Sequence, residues 1–189
     1  MLLLGLALSV YTLLAGAFAL WRFKTTNADD GSGRLGETAR RAGIASFIAL
    51  TGAAFALVWA AFTNDYSVSY ILHHTNRALN PAYKFAALWS GQEGSLLLWA
   101  WLLTAYGFVL RLRHRVDVRL SAFASTILAG ITVFFLLLLN FAAPPFAIQP
   151  GPLAADGFGL NPLLQYPEMV MRRCSTSATW ASPFPSPSR

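Results

Sequence analysis

Of 189 residues, 56% are hydrophobic and only 12% are charged, with a mean hydropathy of +0.50, which excludes a soluble domain wrapped in a polar shell. The formal net charge of +6 comes from basic residues that hug the ends of apolar runs, a mark of membrane topology and not of a nucleic-acid surface. The lone cysteine, Cys174, rules out an intrachain disulfide and a thiolate metal site built from this chain.

The first apolar run, Leu2 to Trp21, is uncharged and, at 1.5 Å per residue, matches the roughly 30 Å hydrocarbon core. No Lys or Arg precedes it, and it is longer than a signal-peptide core, so it is expected to remain as a mature helix. "DDGSGRLG" (Asp29 to Gly36) follows; it lacks the Lys-Ser/Thr of a phosphate loop and is expected to be a flexible linker. A second uncharged run covers 42–62 and carries Gly, Ala and Ser where helices would pack. A third covers 94–110 and a fourth 120–141. Polar and apolar residues do not alternate, so a β-barrel does not compete. The expected fold is an all-α membrane protein: a polytopic helical bundle with four transmembrane helices (2–21, 42–62, 94–110 and 120–141) and an outward-facing aromatic loop.

Orientation follows from the loops. Arg22, Lys24, Arg34, Arg40 and Arg41 lie between the first two runs, and Arg111, Arg113, Arg115 and Arg119 between the last two; these are the expected inside loops. The stretch from Thr63 to Glu93 holds only Arg77 and Lys84, and that from Asn140 to Met171 holds no Lys or Arg. Both are expected to face outward, together with the N-terminus, and 142–170 is expected to be a periplasmic segment.

The outward loop spreads Tyr66, Tyr70, Tyr83, Phe85 and Trp89 among polar residues. Such a layer suits an interfacial aromatic belt or a platform for a large planar ligand, and composition leaves both open. His73 and His74 would point about 100° apart on a helix, so at most one faces a shared pocket. "SGQEGS" (Ser90 to Ser95) opens the third run. Ser90 or Gly91 can cap that helix, and Glu93 suits the positive end of its dipole. Capping does not require two glycines, which announce something approaching the backbone closely. An acid at a bilayer edge is a functional-site candidate. HExxH, CxxC and CxxCH are absent from the sequence, and no spacing singles out a catalytic set or a metal site.

"YSVSYILHHTNRALNPAYKFAALWSGQEGSLLLWAWLL" (Tyr66 to Leu103), the "LLLNFAAPPFA" region and "GPLAADGFGLNPLLQYPEMV" (Gly151 to Val170) resemble the N-terminal part of the CcmF/NrfE family of cytochrome c maturation proteins. The patterns W-x-G-x-E-G-S-L-L-L-W and G-L-N-P-L-L-Q carry the resemblance, which reaches from the first span to Val170. It implies a haem lyase component of the bacterial inner (cytoplasmic) membrane, multi-pass with a periplasmic N-terminus. Such a protein takes haem from a periplasmic haem chaperone and joins it to the thiols of apocytochrome c, beside other maturation subunits in the membrane. On that reading the cofactor is haem, and Trp89, Glu93 and His74 are the candidate residues near the haem-handling surface. A membrane scaffold that docks partners without haem, or part of a transporter, are the alternatives. A transporter should carry charged or helix-breaking residues within its spans, and spans one, two and four have none.

After "YPEMV" the chain reads "MRRCSTSATWASPFPSPSR" (Met171 to Arg189), where the family continues with a motif like IHPPxLYLGYVGF that holds a histidine ligand. Arg172 to Pro183 can be encoded so that the shifted frame reads PLLYLGYVGFT. Residues 171–189 are therefore expected to be a disordered, frameshifted tail, and the fragment is expected to be inactive by itself.

Overall fold

The computed structural model describes residues 1–25, 31–112, 118–150 and 155–161, with side chains described outside 22–33 and 113–119. The expected tail at 171–189 and most of the G-L-N-P-L-L-Q motif lie outside the described residues.

Among the described residues are four long helices, α1 (Leu2–Thr25), α2 (Gly31–Thr63), α5 (Gln92–Leu112) and α6 (Val118–Leu137), with two short ones, α3 (Ser69–His74) and α4 (Pro81–Ala87), between α2 and α5. The stretches long and apolar enough to cross a bilayer are Leu2–Trp21, Arg34–Thr63, Gln92–Leu112 and Leu120–Ala142. An all-α architecture with four candidate membrane spans is what the hydropathy pattern predicts. Each long helix packs on two neighbours, in the order α1, α2, α5, α6 and back to α1.

Small residues set the spacing. The buried side of α2 runs through Ala42, Ser46, Ala49, Leu50, Ala53, Leu57, Ala60 and Ala61, a helical repeat of mostly small side chains that lets backbones approach. Ser46 pairs its hydroxyl with that of Ser9 on α1 at 2.8 Å, fully inside the bundle. On α1, a Cβ at Gly5 would lie 2.5 Å from Leu50 and one at Gly16 would lie 2.5 Å from Thr126 of α6. Large apolar side chains such as Phe55, Trp59, Trp99 and Phe134 point outward, as lipid-facing residues do.

Of the expected linker at Asp29–Gly36, the described part is helix and not linker. From Gly31 onward the chain is already helix, so α2 has 33 residues and at 1.5 Å per residue is about 50 Å long, well beyond the hydrocarbon core. Glu37 supports this extension through Arg40 (3.6 Å) and Arg41 (3.0 Å), pairs three and four residues apart on one helical face.

At the other end, α3 and α4 lie as a layer over the bundle. The chain after α6 makes a π-helical turn, Leu138–Ala142, and returns to this layer. Val68 and Ile148 form an antiparallel bridge, flanked by Ser69 N–H to Ala147 O (2.8 Å) and Gln149 N–H to Ser67 O (2.9 Å). Further on, Phe158 and Gly159 donate to the carbonyls of Leu72 and Thr75 (2.8 and 3.2 Å). Gly159 sits at φ +83, in the left-handed region that side chains rarely adopt. Two loop segments far apart in sequence are thereby tied into one layer.

Candidate functional site

The layer is organised around Tyr70, which is 5% exposed. Its hydroxyl donates toward the carbonyls of Leu88 (2.8 Å) and Ala87 (3.1 Å) and accepts the N–H of Gly91 (3.2 Å). The Leu88 carbonyl and the Gly91 N–H are groups that the end of α4 and the start of α5 leave without helical partners, whereas the Ala87 carbonyl also accepts the Ser90 N–H (3.2 Å). Burial pushes the hydroxyl pKa up to about 12, with the Gly91 N–H acting the other way.

The two glycines of SGQEGS are explained here. A Cβ at Gly91 would lie 2.7 Å from His74 Nε2 and 2.8 Å from the Tyr70 ring; one at Gly94 would meet the Leu88 carbonyl and lie 2.5 Å from the Tyr70 hydroxyl. What approaches the backbone is the chain's own α3. Gly91 stands in the capping position, its carbonyl accepting the Ser95 N–H at 3.2 Å. Ser90 instead turns its hydroxyl back to the Ala87 carbonyl (2.8 Å).

The three candidate residues cluster around this joint. His74 stacks on Tyr70 with ring centroids 4.4 Å apart, and its Nδ1 lies 2.9 Å from the Tyr70 carbonyl. Since a carbonyl only accepts, Nδ1 is the donor in that contact, and Nε2 is backed by Gly91. Glu93 is in the first turn of α5 and its charge reaches Tyr70. Trp89 stands in the turn before α5, edge-on to Phe85 (4.7 Å, 84°), and packs against the main core. His73 points away from the joint, as neighbours on a helix must, and stacks on Phe158 at 5.3 Å.

A flat aromatic platform is not what the loop builds. Tyr66 and Tyr70 are core residues, 4% and 5% exposed, whereas Phe85 and Phe158 stand out at 48% and 75%. The tyrosines went inward because each hydroxyl found a buried or charged acceptor. Tyr66 donates to Asp156 Oδ1 (2.8 Å), which also accepts the N–H groups of Arg77 (3.0 Å) and Gly157 (2.8 Å). Those three donors, the Arg77 N–H foremost, hold the Asp156 carboxyl below its usual range, and burial raises the Tyr66 hydroxyl. Sequence reasoning passed over Asp156 and Lys84. Lys84 is buried, 7% exposed, and donates to Asn64 Oδ1 at 2.6 Å; a lysine in a loop gives no sign of burial until its acceptor is known.

Haem asks for axial donors with open approach to iron. His74 has its Nε2 against Gly91 and His73 lies on Phe158, so these imidazoles do not form an axial pair, and among the described residues no group of three or more His, Cys, Asp or Glu converges. No chemistry at iron follows from the described residues.

No family model matches the chain. It is similar to the cytochrome c-type biogenesis protein CcmF of Haemophilus influenzae, 36% identical over 163 residues, which is 86% of this chain and 24% of that protein. CcmF of Escherichia coli is 32% identical over 169 residues, 89% of this chain and 25% of that protein. The probable cytochrome c-type biogenesis protein NrfE of Escherichia coli is 35% identical over 132 residues, 67% of this chain and 23% of that protein. A solved structure described as cytochrome c heme lyase CcmF superposes with a TM-score of 0.63 at 29% identity, covering 79% of this chain and 24% of that one. The chain thus spans about a quarter of the length of the relatives it matches. Over most of its length, by sequence and by fold, the chain belongs with the CcmF/NrfE cytochrome c-type biogenesis proteins.

Proposed function

We propose that this chain serves cytochrome c maturation as part of a haem lyase of the bacterial inner membrane, its loop-rich end facing the periplasm. The observation that carries the reading is the agreement of sequence and fold with a haem lyase over 79% of the chain. On this reading the α3/α4 layer receives the periplasmic haem chaperone and apocytochrome c beside the other maturation subunits. Trp89, Glu93 and His74 shape its surface at the mouth of α5. Thioether formation needs haem and two cysteine thiols brought together in a fixed relation, and the layer's contribution is position, through a rigid joint at Tyr70.

The test is a chimera in which this chain replaces the matching quarter of Escherichia coli CcmF in a strain lacking its own copy, with holo-cytochrome c read by haem staining. Trp89→Ala and Glu93→Ala are expected to lower the yield while the membrane level of the chimera is unchanged, Trp89→Ala the more so because an indole at a stacking surface contributes about 1 kcal/mol beyond its area. Equal loss of yield and protein level would reduce both residues to stability roles. Alkaline phosphatase fused after Gly91 should be active and fused after Arg113 inactive; the reverse pattern would overturn the orientation. A purified chimera without a Soret band, yet still supporting maturation, would make this region a docking scaffold.

A further inference from the structure

At the end of the bundle opposite the α3/α4 layer, one cation is seated between helices instead of at the surface. Arg111, in the last turn of α5, is only partly exposed and lays its guanidinium on two backbones. A Cβ at Gly107, one turn earlier, would lie 2.7 Å from Nη1. A Cβ at Gly43 of α2 would lie 2.6 Å from Nη2 and 2.7 Å from Nη1, and would meet Cζ as well. Near-equal approach to all three atoms means that the planar group presents its face to α2. The two glycines form a notch shaped for it.

No described residue gives this guanidinium an acceptor. Glu37, the one acid within α2, is engaged by Arg40 and Arg41. Arginine stays charged at any pH a cell reaches and carries five donors in a planar fork. A group of this kind held half out of water calls for an acceptor. The notch lies where the uncharged runs of α2 and α5 end, next to Arg40 and Arg41, so it sits at the edge of the hydrocarbon core. The anion that a bilayer presents at that depth is a phosphodiester, whose paired oxygens match the fork.

We propose that Arg111, in the Gly43/Gly107 notch, binds the phosphate of an anionic phospholipid. Arg34 and Arg41, both exposed on α2, add a positive field that favours a headgroup with net negative charge over a zwitterionic one.

The test uses the full chain, purified in detergent, stripped of lipid and titrated with phosphatidylglycerol or phosphatidylcholine, with retained lipid counted by native mass spectrometry. Wild type should keep phosphatidylglycerol in preference to phosphatidylcholine. Arg111→Gln should lower that retention about tenfold, the loss of a charged bidentate contact. Gly107→Ala should lower it too, since the new methyl displaces Nη1 while the charge remains, and Arg34→Gln should stay within about twofold. Equal retention of both lipids, or unchanged phosphatidylglycerol retention in Arg111→Gln, would overturn the proposal. Displacement of the lipid by millimolar inorganic phosphate would also overturn it, by showing a site for free anions. Should Arg111→Gln fail to give a monodisperse helical protein, Gly107→Ala decides: retention equal to wild type sinks the lipid site.

Discussion

Tyr70→Phe removes a single oxygen from the joint between α3 and α5 and leaves the ring, with its stack on His74, in place. The hydroxyl serves three backbone groups: the carbonyls of Leu88 and Ala87 and the N–H of Gly91. The Ala87 carbonyl keeps the Ser90 hydroxyl at 2.8 Å, so the variant strands two groups, the Leu88 carbonyl and the Gly91 N–H. A buried polar group left without its partner costs about 1–3 kcal/mol, and Tyr70 is 5% exposed, so water does not fill in. We expect a loss of roughly 2–4 kcal/mol, less than a strict sum because the two groups are neighbours. The assay is thermal unfolding of the chain in lipid nanodiscs followed by near-UV circular dichroism, with amide exchange at Gly91 as the local reporter. The pH dependence gives a second handle. Burial raises the Tyr70 pKa from 10.0 to about 12, so the folded state holds the proton that the unfolded chain releases. The contribution is complete below pH 10, and it fades as pH rises through about 12. The gap between wild type and variant should therefore be flat through neutral pH and close only in strong alkali. A variant within about 0.5 kcal/mol of wild type, or no acceleration of exchange at Gly91, would refute the account of the joint.

Gly94→Ala should be at least as damaging as Tyr70→Phe, because its Cβ meets a backbone oxygen of Leu88 that cannot swing aside; the same unfolding assay should show a loss of about 2–4 kcal/mol, and tolerance of alanine would mean that the start of α5 is loose. Ser9→Ala breaks the hydroxyl pair between α1 and α2 and should cost about 0.5–2 kcal/mol, read as an earlier melting midpoint. Asp156 binds its proton less readily when folded. The stability it gives the clasp on Tyr66 is therefore present above the usual carboxyl pKa and lost as pH falls through its lowered value; limited proteolysis by pepsin should show cleavage within 142–161 rising over that range, and Asp156→Asn should cleave readily without it.

The spans were legible because a bilayer excludes charge along a whole stretch, and a run such as 120–141 carries none. The start of α2 was not, since "GSGRLG" (Gly31 to Gly36) has the composition of a linker yet is helix, continued by the Glu37 pairs with Arg40 and Arg41. At the candidate site the glycines of SGQEGS did announce a close approach, yet nothing local named the visitor. Tyr70 lies twenty-odd residues upstream, and only the packing of α3 brings it there. Asp156 is harder still: its value depends on Tyr66, 90 positions away, and an exposed aspartate in a Gly-rich loop has no sequence mark to set it apart.

The tie of 67–75 to Ala147, Gln149, Phe158 and Gly159 also fixes an order of events during synthesis. The ribosome delivers α3 and α4 first, and the segment that holds them arrives only after α5 and α6 have been made. At roughly 5–20 residues per second, the aromatic layer waits for several seconds with the carbonyls of Leu72 and Thr75 uncovered and the partner of Tyr66 not yet made. During that interval the nascent chain offers an open edge to proteases and to folding helpers. A lesion that slows the insertion of α6 would therefore be felt first not in α6 but as degradation at Ser67 to Thr75.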